Sequence, residues 1–99
     1  MTEQLFVYGT LMEPIVQISV FGGTTHGQPD TLADFKKSSI RLGGRLYPII
    51  EPEADSSVEG LVITVTPTEL RRIDQYEGED YRRKKVTLVS GRQVWVYQA

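Results

Sequence analysis

The stretch that decides the fold reads LVITVTPTELRRIDQYEG, residues 61–78. Its first half alternates in a period of two, which is typical of a β-strand and predicts one over residues 61–66. Thr66 then supplies a capping hydroxyl, a proline takes the first helical position and Glu69 completes a capping box. The sequence therefore predicts a helix over Pro67–Glu77 that ends at the following glycine.

This predicted helix places a carboxylate among its apolar residues. At about 100° per residue, Glu77 lies between Leu70 and Ile73 on the face that turns toward the core. Burying an unpaired carboxylate is costly, so such a group is normally paired, protonated or directed into a polar cavity. Glu77 is therefore a candidate functional residue. The alternative is a frayed last turn that leaves it in solvent or beside an arginine.

A second candidate feature is the turn Tyr8-Gly9-Thr10-Leu11. It follows a continuous apolar run over residues 5–8, which is typical of a strand buried on both faces. Such a turn exposes backbone N–H groups that suit an anion or a developing negative charge. The alternative is a plain tight turn, in which glycine serves only for its backbone freedom.

The rest of the chain predicts few helices and several short strands. Residues 11–21 fit either a strand or a helix with Leu11, Ile15 and Ile18 on one face; the helix, ending at the next two glycines, is favoured. Residues 24–30 fit a loop or an edge strand, and the acidic stretch 51–57 is predicted to be a mobile surface loop. Further strands are predicted over residues 32–42, 46–50, 81–89 and 93–98, the last two joined by a tight hairpin.

Length and composition exclude several classes of protein. Ninety-nine residues are enough for about one domain, and the net charge of −2 offers no overall attraction to nucleic acid or anionic lipid. The sequence has no cysteine and one histidine, which excludes a disulfide framework, a thiolate nucleophile and a conventional zinc site. No apolar run is long enough to span a membrane and no signal peptide is evident. We expect a cytoplasmic protein without a nucleic-acid or membrane partner.

Three other features receive structural interpretations. The run Arg82-Arg83-Lys84-Lys85 would place alternate residues on opposite faces of a strand, as expected for a solvated or ion-paired edge. His26 lies between glycines and threonines and is expected in a surface loop. Trp95 and Tyr97 are expected to pack in the core or on a sheet face rather than stack on a ligand.

Several short motifs, taken in order, carry a resemblance to a known family. They are FVYGTL at residues 6–11, Tyr47-Pro48, Val58-Glu59-Gly60, IDQYEG at residues 73–78 and Tyr81-Arg82. With these motifs the chain resembles the gamma-glutamylcyclotransferase-like family, in particular its branch of AIG2-like proteins and gamma-glutamylamine cyclotransferases. The resemblance implies one α+β domain over residues 1–99, with a small mixed β-barrel-like sheet and one or two short flanking helices.

The resemblance also implies an activity. Enzymes of the family, acyltransferases or lyases by reaction, cyclise a gamma-glutamyl amine or amino acid to 5-oxoproline and release the amine, with no cofactor or metal. Glu77 matches the family's catalytic general acid and base. The residues implied to contact the small-molecule substrate are Tyr8, Gly9, Thr10, Leu11 and Tyr81. The alternatives are a noncatalytic small-molecule binding or interaction module on the same fold, or a structural subunit; oligomeric state is left open.

Overall fold

The computed structural model describes residues 1–99 and shows a mixed α+β fold. Its strands are β1 (Glu3–Val7), β2 (Gln28–Leu42), β3 (Arg45–Val65), β4 (Arg82–Thr87) and β5 (Gln93–Gln98), its helices are α1 (Pro14–Phe21) and α2 (Pro67–Glu77), and a 3-10 turn covers Thr10–Met12. The strands form one curled sheet in the order β2-β3-β1-β5-β4. This half-barrel with two helices confirms the predicted fold class.

The centre of the sheet is β1, which is hydrogen-bonded on both sides. Leu5 pairs with Ile63 of the antiparallel strand β3 and with Trp95 of the parallel strand β5. Successive side chains of β1 point to opposite faces of the sheet. Leu5 belongs to the core beneath the two helices, whereas Phe6 belongs to a second core inside the curl of the sheet. A strand with buried side chains on both faces explains the continuous apolar run in the sequence.

The helix α2 has the bounds that the sequence predicts. Its capping box is complete, because the Glu69 amide donates to Thr66 Oγ1 at 3.1 Å and the Thr66 amide donates to Glu69 Oε1 at 2.8 Å. Leu70 and Ile73 are buried against the sheet. None of the helices is both long enough and apolar enough to cross a membrane.

The helix favoured for residues 11–21 is confirmed over Pro14–Phe21, but Ile15 and Ile18 of its predicted apolar face are not buried. Ile15 and Ile18 are 80% and 54% exposed, whereas Gln17 and Phe21 are buried. Gln17 Nε2 donates to the Leu11 carbonyl at 2.8 Å, and its Oε1 accepts from the Thr25 amide at 3.1 Å. A buried amide with both ends hydrogen-bonded is well accommodated, so the polar side chain takes the inward position.

The prediction of a mobile loop over residues 51–57 is wrong, because these residues belong to β3. They pair with β2 on both sides of an irregularity between Ala33 and Phe35. There Asp34 and Asp55 adopt φ values of 64° and 66°, and the Asp55 amide donates to Asp34 Oδ1 at 3.3 Å. Extra residues of this kind bend a strand. The proline and acidic residues of the stretch therefore accompany a bulge in a long hairpin.

The long hairpin contains the strands predicted over residues 32–42, 46–50 and 61–66 as parts of β2 and β3. The far arm of the hairpin, which is the part of β3 around Tyr47 and Pro48, reaches the end of β1. A β-carbon on Gly9 would lie 3.5 Å from Pro48 Cγ. At the other end of the hairpin, β3 passes so close to β1 that a side chain at Gly60 would overlap the Val7 carbonyl oxygen. Glycine is thus required at position 60 for this approach.

The hairpin of β4 and β5 is also confirmed, although β4 is shorter than the predicted strand over residues 81–89. Its turn closes the curl of the sheet against β2, the edge strand. The Val89 amide donates to the Thr31 carbonyl at 2.9 Å, and Ser90 Oγ donates to Asp30 Oδ2 at 2.6 Å. These bonds join the two edges of the half-barrel at one point.

Candidate active site

A cavity of about 200 Å³ opens where β1 ends, between the last turn of α2 and the far arm of the long hairpin. Twelve residues line it: Phe6, Val7, Tyr8, Gly9, Thr10, Leu11, Tyr47, Pro48, Tyr76, Glu77, Tyr81 and Tyr97. The structure thus brings together all six residues that the sequence analysis assigns to the site. They come from the loop after β1, from the end of α2 and from the position just before β4.

Glu77 is the last residue of α2 and the one charged residue in the cavity lining. The Gly78 amide donates to the Asp74 carbonyl at 3.0 Å, so the final helical turn is closed and the alternative of a frayed turn is wrong. The Glu77 carboxylate is half-buried and has no salt bridge. Burial raises its pKa from 4.5 to about 7. Its carboxylate can therefore both take up and release a proton near neutral pH.

The loop after β1 is held in a tight 3-10 turn. The Met12 amide donates to the Gly9 carbonyl at 3.0 Å, and the Glu13 amide donates to the Thr10 carbonyl at 2.9 Å. Backbone amides at the start of a helical turn have no hydrogen-bond acceptor within that turn. The amides of Thr10 and Leu11 therefore have no acceptor within the 3-10 turn. The bond from Gln17 to the Leu11 carbonyl ties this turn to α1.

Tyrosine hydroxyls make the fixed contacts around the cavity. Tyr8 donates to the Tyr97 carbonyl at 2.8 Å and Tyr81 donates to the Pro48 carbonyl at 2.8 Å. Burial raises the pKa of the Tyr8, Tyr81 and Tyr97 hydroxyls, and the nearby Glu77 carboxylate raises each pKa further. These three side chains therefore stay neutral. Apart from Glu77, the lining of the cavity is thus uncharged, and half of its residues are aromatic.

Some lining residues were not assigned to the site from the sequence. Tyr47 and Pro48 come from the far arm of β3, and Tyr97 comes from β5. Tyr76 precedes Glu77 and its hydroxyl lies 3.1 Å from Thr10 Oγ1. The signals available in the sequence were the Tyr-Pro motif and the adjacency of Tyr76 to the glutamate. Gln17 supports the loop through its bond to the Leu11 carbonyl. The one indication of this role in the sequence is that Gln17 is the only long polar side chain in α1.

A second carboxylate lies one turn earlier on α2 and is fully paired. Asp74 accepts from Arg83 Nε at 2.7 Å, from Arg83 Nη2 at 3.0 Å and from the Tyr97 hydroxyl at 2.6 Å. Arg83 and Lys85 lie over the Trp95 ring, 4.5 and 4.6 Å from its centroid. The alternation predicted for the basic run is confirmed, and Arg83 serves an ion pair.

Two of the remaining candidates, His26 and Trp95, lie away from the cavity lining. His26 is exposed in the loop between α1 and β2, as predicted. Trp95 packs on the sheet face, as predicted, and donates to Glu3 Oε2 at 3.2 Å. Tyr97 belongs to the buried core, as predicted, but it also lines the cavity. No three His, Cys, Asp or Glu side chains come together in an arrangement that could hold a metal ion.

Comparison with known proteins finds related sequences in Arabidopsis thaliana. AIG2-like protein C of Arabidopsis thaliana is 36% identical over 86 residues, which are 86% of this chain and 49% of the relative. AIG2-like protein A of the same plant is 38% identical over 88 residues, covering 88% of this chain and 52% of the relative. The chain thus spans about half the length of the curated relatives it matches.

Solved structures share the fold. A solution structure of an Arabidopsis thaliana protein superposes with a TM-score of 0.84 at 34% identity, covering 98% of this chain and 68% of that one. A gamma-glutamyl cyclotransferase superposes with a TM-score of 0.74 over 99% of this chain and 66% of that one, and its 18% identity establishes a likeness of fold. The family model described as "Gamma-glutamyl cyclotransferase, AIG2-like" matches residues 5–99. The chain therefore belongs to the AIG2-like gamma-glutamyl cyclotransferase family, as the motifs in its sequence imply.

Proposed function

We propose that the protein is a cyclotransferase that converts a gamma-glutamyl amine or a gamma-glutamyl amino acid to 5-oxoproline and releases the amine. One observation carries the proposal: the half-buried Glu77 carboxylate, whose pKa is raised to about 7, lies in the same cavity as the loop after β1. The matching family and fold support the same class of reaction.

The reaction exchanges one carbon–nitrogen bond for another. The alpha-amine of the substrate attacks the gamma-carbonyl carbon, a five-membered lactam closes, and the bond from that carbon to the leaving amine breaks. The attacking amine, in its neutral form, loses one proton and keeps the other as the lactam N–H, and the leaving nitrogen gains one proton. Glu77 is proposed to take the first proton and to deliver it to the leaving amine. Atoms and charge balance without an oxidant, a reductant or a second substrate.

The cavity supports the geometry that this ring closure needs. Its volume of about 200 Å³ lies below the roughly 300–1,000 Å³ of sites for drug-sized ligands, so it suits a group of amino-acid size. Enclosure of the gamma-glutamyl chain favours the bent conformation in which amine and carbonyl meet, and such positioning contributes on the order of 7–11 kcal/mol in favourable cases. The loop amides of Thr10 and Leu11 are proposed to bind the substrate carboxylate or the developing oxyanion.

The test is release of 5-oxoproline from gamma-glutamyl amino acids, gamma-glutamyl-lysine and simple gamma-glutamyl amines. Wild type is compared with Glu77→Gln and with Glu59→Gln, a matched control at an exposed position on β3. We expect release by wild type and by the control, and none above background by Glu77→Gln. Saturable binding of these compounds with no 5-oxoproline would contradict the proposal and support the noncatalytic binding module.

A further inference from the structure

Gln17 is the one fully buried residue with a polar, non-aromatic side chain, and it lies outside the cavity lining. It is 2% exposed on the inward face of α1. Its Nε2 donates to the Leu11 carbonyl at 2.8 Å, and its Oε1 accepts from the Thr25 amide at 3.1 Å. A buried amide group is costly unless it is hydrogen-bonded. The bonds that make this burial possible also join the loop after β1 to the loop between α1 and β2.

The two partners fix the Gln17 amide in one orientation. Rotation by half a turn about its last bond would direct Oε1 at the Leu11 carbonyl oxygen and Nε2 at the Thr25 N–H. Two acceptors would then face each other, and so would two donors, in a site from which water is excluded. The Leu11 carbonyl is therefore held in one direction by a donor that cannot turn away.

The direction of the Leu11 carbonyl determines the direction of an amide in the cavity lining. A peptide group is planar and trans, so Leu11 C=O and Met12 N–H point in opposite directions from one rigid unit. Met12 N–H donates to the Gly9 carbonyl at 3.0 Å. The Gly9 carbonyl belongs to the same rigid unit as the Thr10 N–H. Gln17 thus acts on the Thr10 amide through two peptide groups and the hydrogen bond between them.

The side chains of the turn do not restrain it in the same way. Thr10 is exposed, and the bond between its Oγ1 and the Tyr76 hydroxyl at 3.1 Å is open to water. Leu11 is anchored in the core by its side chain, which places its Cα and leaves its peptide groups able to rotate. A hydrogen bond in a buried, low-dielectric site is the stronger restraint. The bond from Gln17 therefore sets the orientation of the turn.

We propose that Gln17 is a positioning residue for the reaction, which holds the turn so that the Thr10 amide is directed at the substrate before the substrate binds. The inference rests on the proposed cyclotransferase function and adds to it a residue that lies outside the cavity. Donors that are aligned in advance stabilise negative charge without reorganising during the reaction. The effect of Gln17 is therefore expected in the activity of the folded protein as well as in its stability.

The experiment measures kcat and KM for 5-oxoproline release by Gln17→Met, which keeps the length of the side chain and removes both hydrogen bonds. Rates are expressed per folded molecule, with the folded fraction taken from circular dichroism. Removal of one such donor costs roughly a hundred- to a thousandfold in rate, and a misdirected donor should cost less, so we expect kcat/KM to fall about tenfold. A lower kcat would assign the Thr10 amide to the developing oxyanion, and a higher KM would assign it to the substrate carboxylate.

The matched control is Val58→Ala, a cavity-creating change in the second core, away from the turn. It should lower the stability of the fold as Gln17→Met does. Its kcat and KM per folded molecule should stay at wild-type values. The control thus separates a loss of stability from a loss of alignment.

A conservative variant, Gln17→Glu, gives a readout that lost packing would not produce. Its carboxylic acid can donate to the carbonyl of the turn and accept from the neighbouring loop, whereas its carboxylate has no proton to donate. The ratio of its rate to the wild-type rate should therefore be close to one at low pH and fall as the pH rises. Glu13, His26 and Arg72, which lies beside Gly22, act on both proteins and drop out of the ratio.

Two results would overturn the inference: a wild-type kcat/KM per folded molecule in Gln17→Met, or a rate ratio for Gln17→Glu that does not change with pH. Absence of turnover by wild type would refute the proposed function instead. Calorimetric dissociation constants for gamma-glutamyl-lysine then decide the inference. Weaker binding by Gln17→Met than by Val58→Ala would support alignment of the turn by Gln17, and equal or undetectable binding would refute it.

Discussion

Asp74 and Glu77 lie one turn apart on α2 and occupy opposite environments. Asp74 accepts three hydrogen bonds, two from Arg83 and one from Tyr97, on the side where the helix meets β4 and β5. Glu77 faces the cavity, where no basic residue reaches it and burial raises its pKa to about 7. The two carboxylates have similar exposure and differ in their partners.

The difference separates a carboxylate that holds the structure together from one that is available for chemistry. A paired carboxylate links parts of the fold through its hydrogen bonds, whereas an unpaired and partly desolvated carboxylate makes its own charged state costly and its proton exchangeable. The paired carboxylate of Asp74 also holds Glu77 in position. Because Asp74 joins the last turn of α2 to two strands, the Glu77 side chain is directed into the cavity by a turn that is fixed.

The largest expected effect tests this division directly. Glu77→Gln removes the proposed proton carrier and should lower the rate of 5-oxoproline release by at least about a hundredfold, within the range of general acid–base catalysis. Asp74→Asn keeps the cavity carboxylate and should lower the rate much less. Initial rates with a single gamma-glutamyl substrate measure both. Equal losses in the two variants would show that the two carboxylates do not divide structure from chemistry.

The next effect concerns stability and pH. Because the folded chain binds the Glu77 proton up to about pH 7 while the unfolded chain releases it near 4.5, stability falls as the pH rises through this window. At pH 8 Glu77→Gln should therefore be more stable than wild type, by on the order of 2 kcal/mol. At pH 4 the gain should disappear. Urea unfolding at the two pH values measures it, and a gain that is independent of pH would contradict the assignment.

A smaller loss is expected on the paired side of the helix. Arg83→Gln breaks the two bonds to Asp74 and should lower the free energy of unfolding by about 1 to 2 kcal/mol, reduced by the partial exposure of the pair. Arg82→Gln, its exposed neighbour on the same strand, is the matched control and should have little effect. Chemical denaturation compares the two, and similar losses would mean that the ion pair contributes nothing specific.

The smallest effect is expected at the beginning of the helix, far from either carboxylate. Thr66→Ala removes the capping hydroxyl that accepts from the Glu69 amide and should destabilise the protein by about 1 kcal/mol. KM and kcat should stay at wild-type values, since the last turn of α2 is held by other bonds. A change in either constant would show that the site depends on the whole helix.

Local signals in the sequence predicted much of this arrangement. The helix α2 was predictable from its capping box and terminal glycine, and the position of Glu77 followed from the helical repeat. The motif resemblance supplied the loop residues and Tyr81. All of these depend on neighbours within a few residues of one another.

The features that the sequence did not reveal depend on long-range contacts. Residues 51–57 look like a loop because their pairing with β2 and the bulge at Asp55 are not local properties. The inward position of Gln17 depends on acceptors and donors supplied by Leu11 and Thr25. The contribution of Tyr47 to the cavity requires the bent hairpin, which brings distant residues to the end of β1.

The central position of β1 has a consequence for how the chain folds as it is synthesised. Leu5 and Phe6 leave the ribosome well before Trp95 and Val96, their partners on one side. A nascent chain that lacks residues 93–98 presents β1, whose side chains Leu5, Phe6 and Val7 are buried in the folded sheet, with one unpaired edge, a surface prone to aggregation. Truncation before β5 should therefore yield insoluble chains or chaperone-bound ones rather than a smaller folded protein.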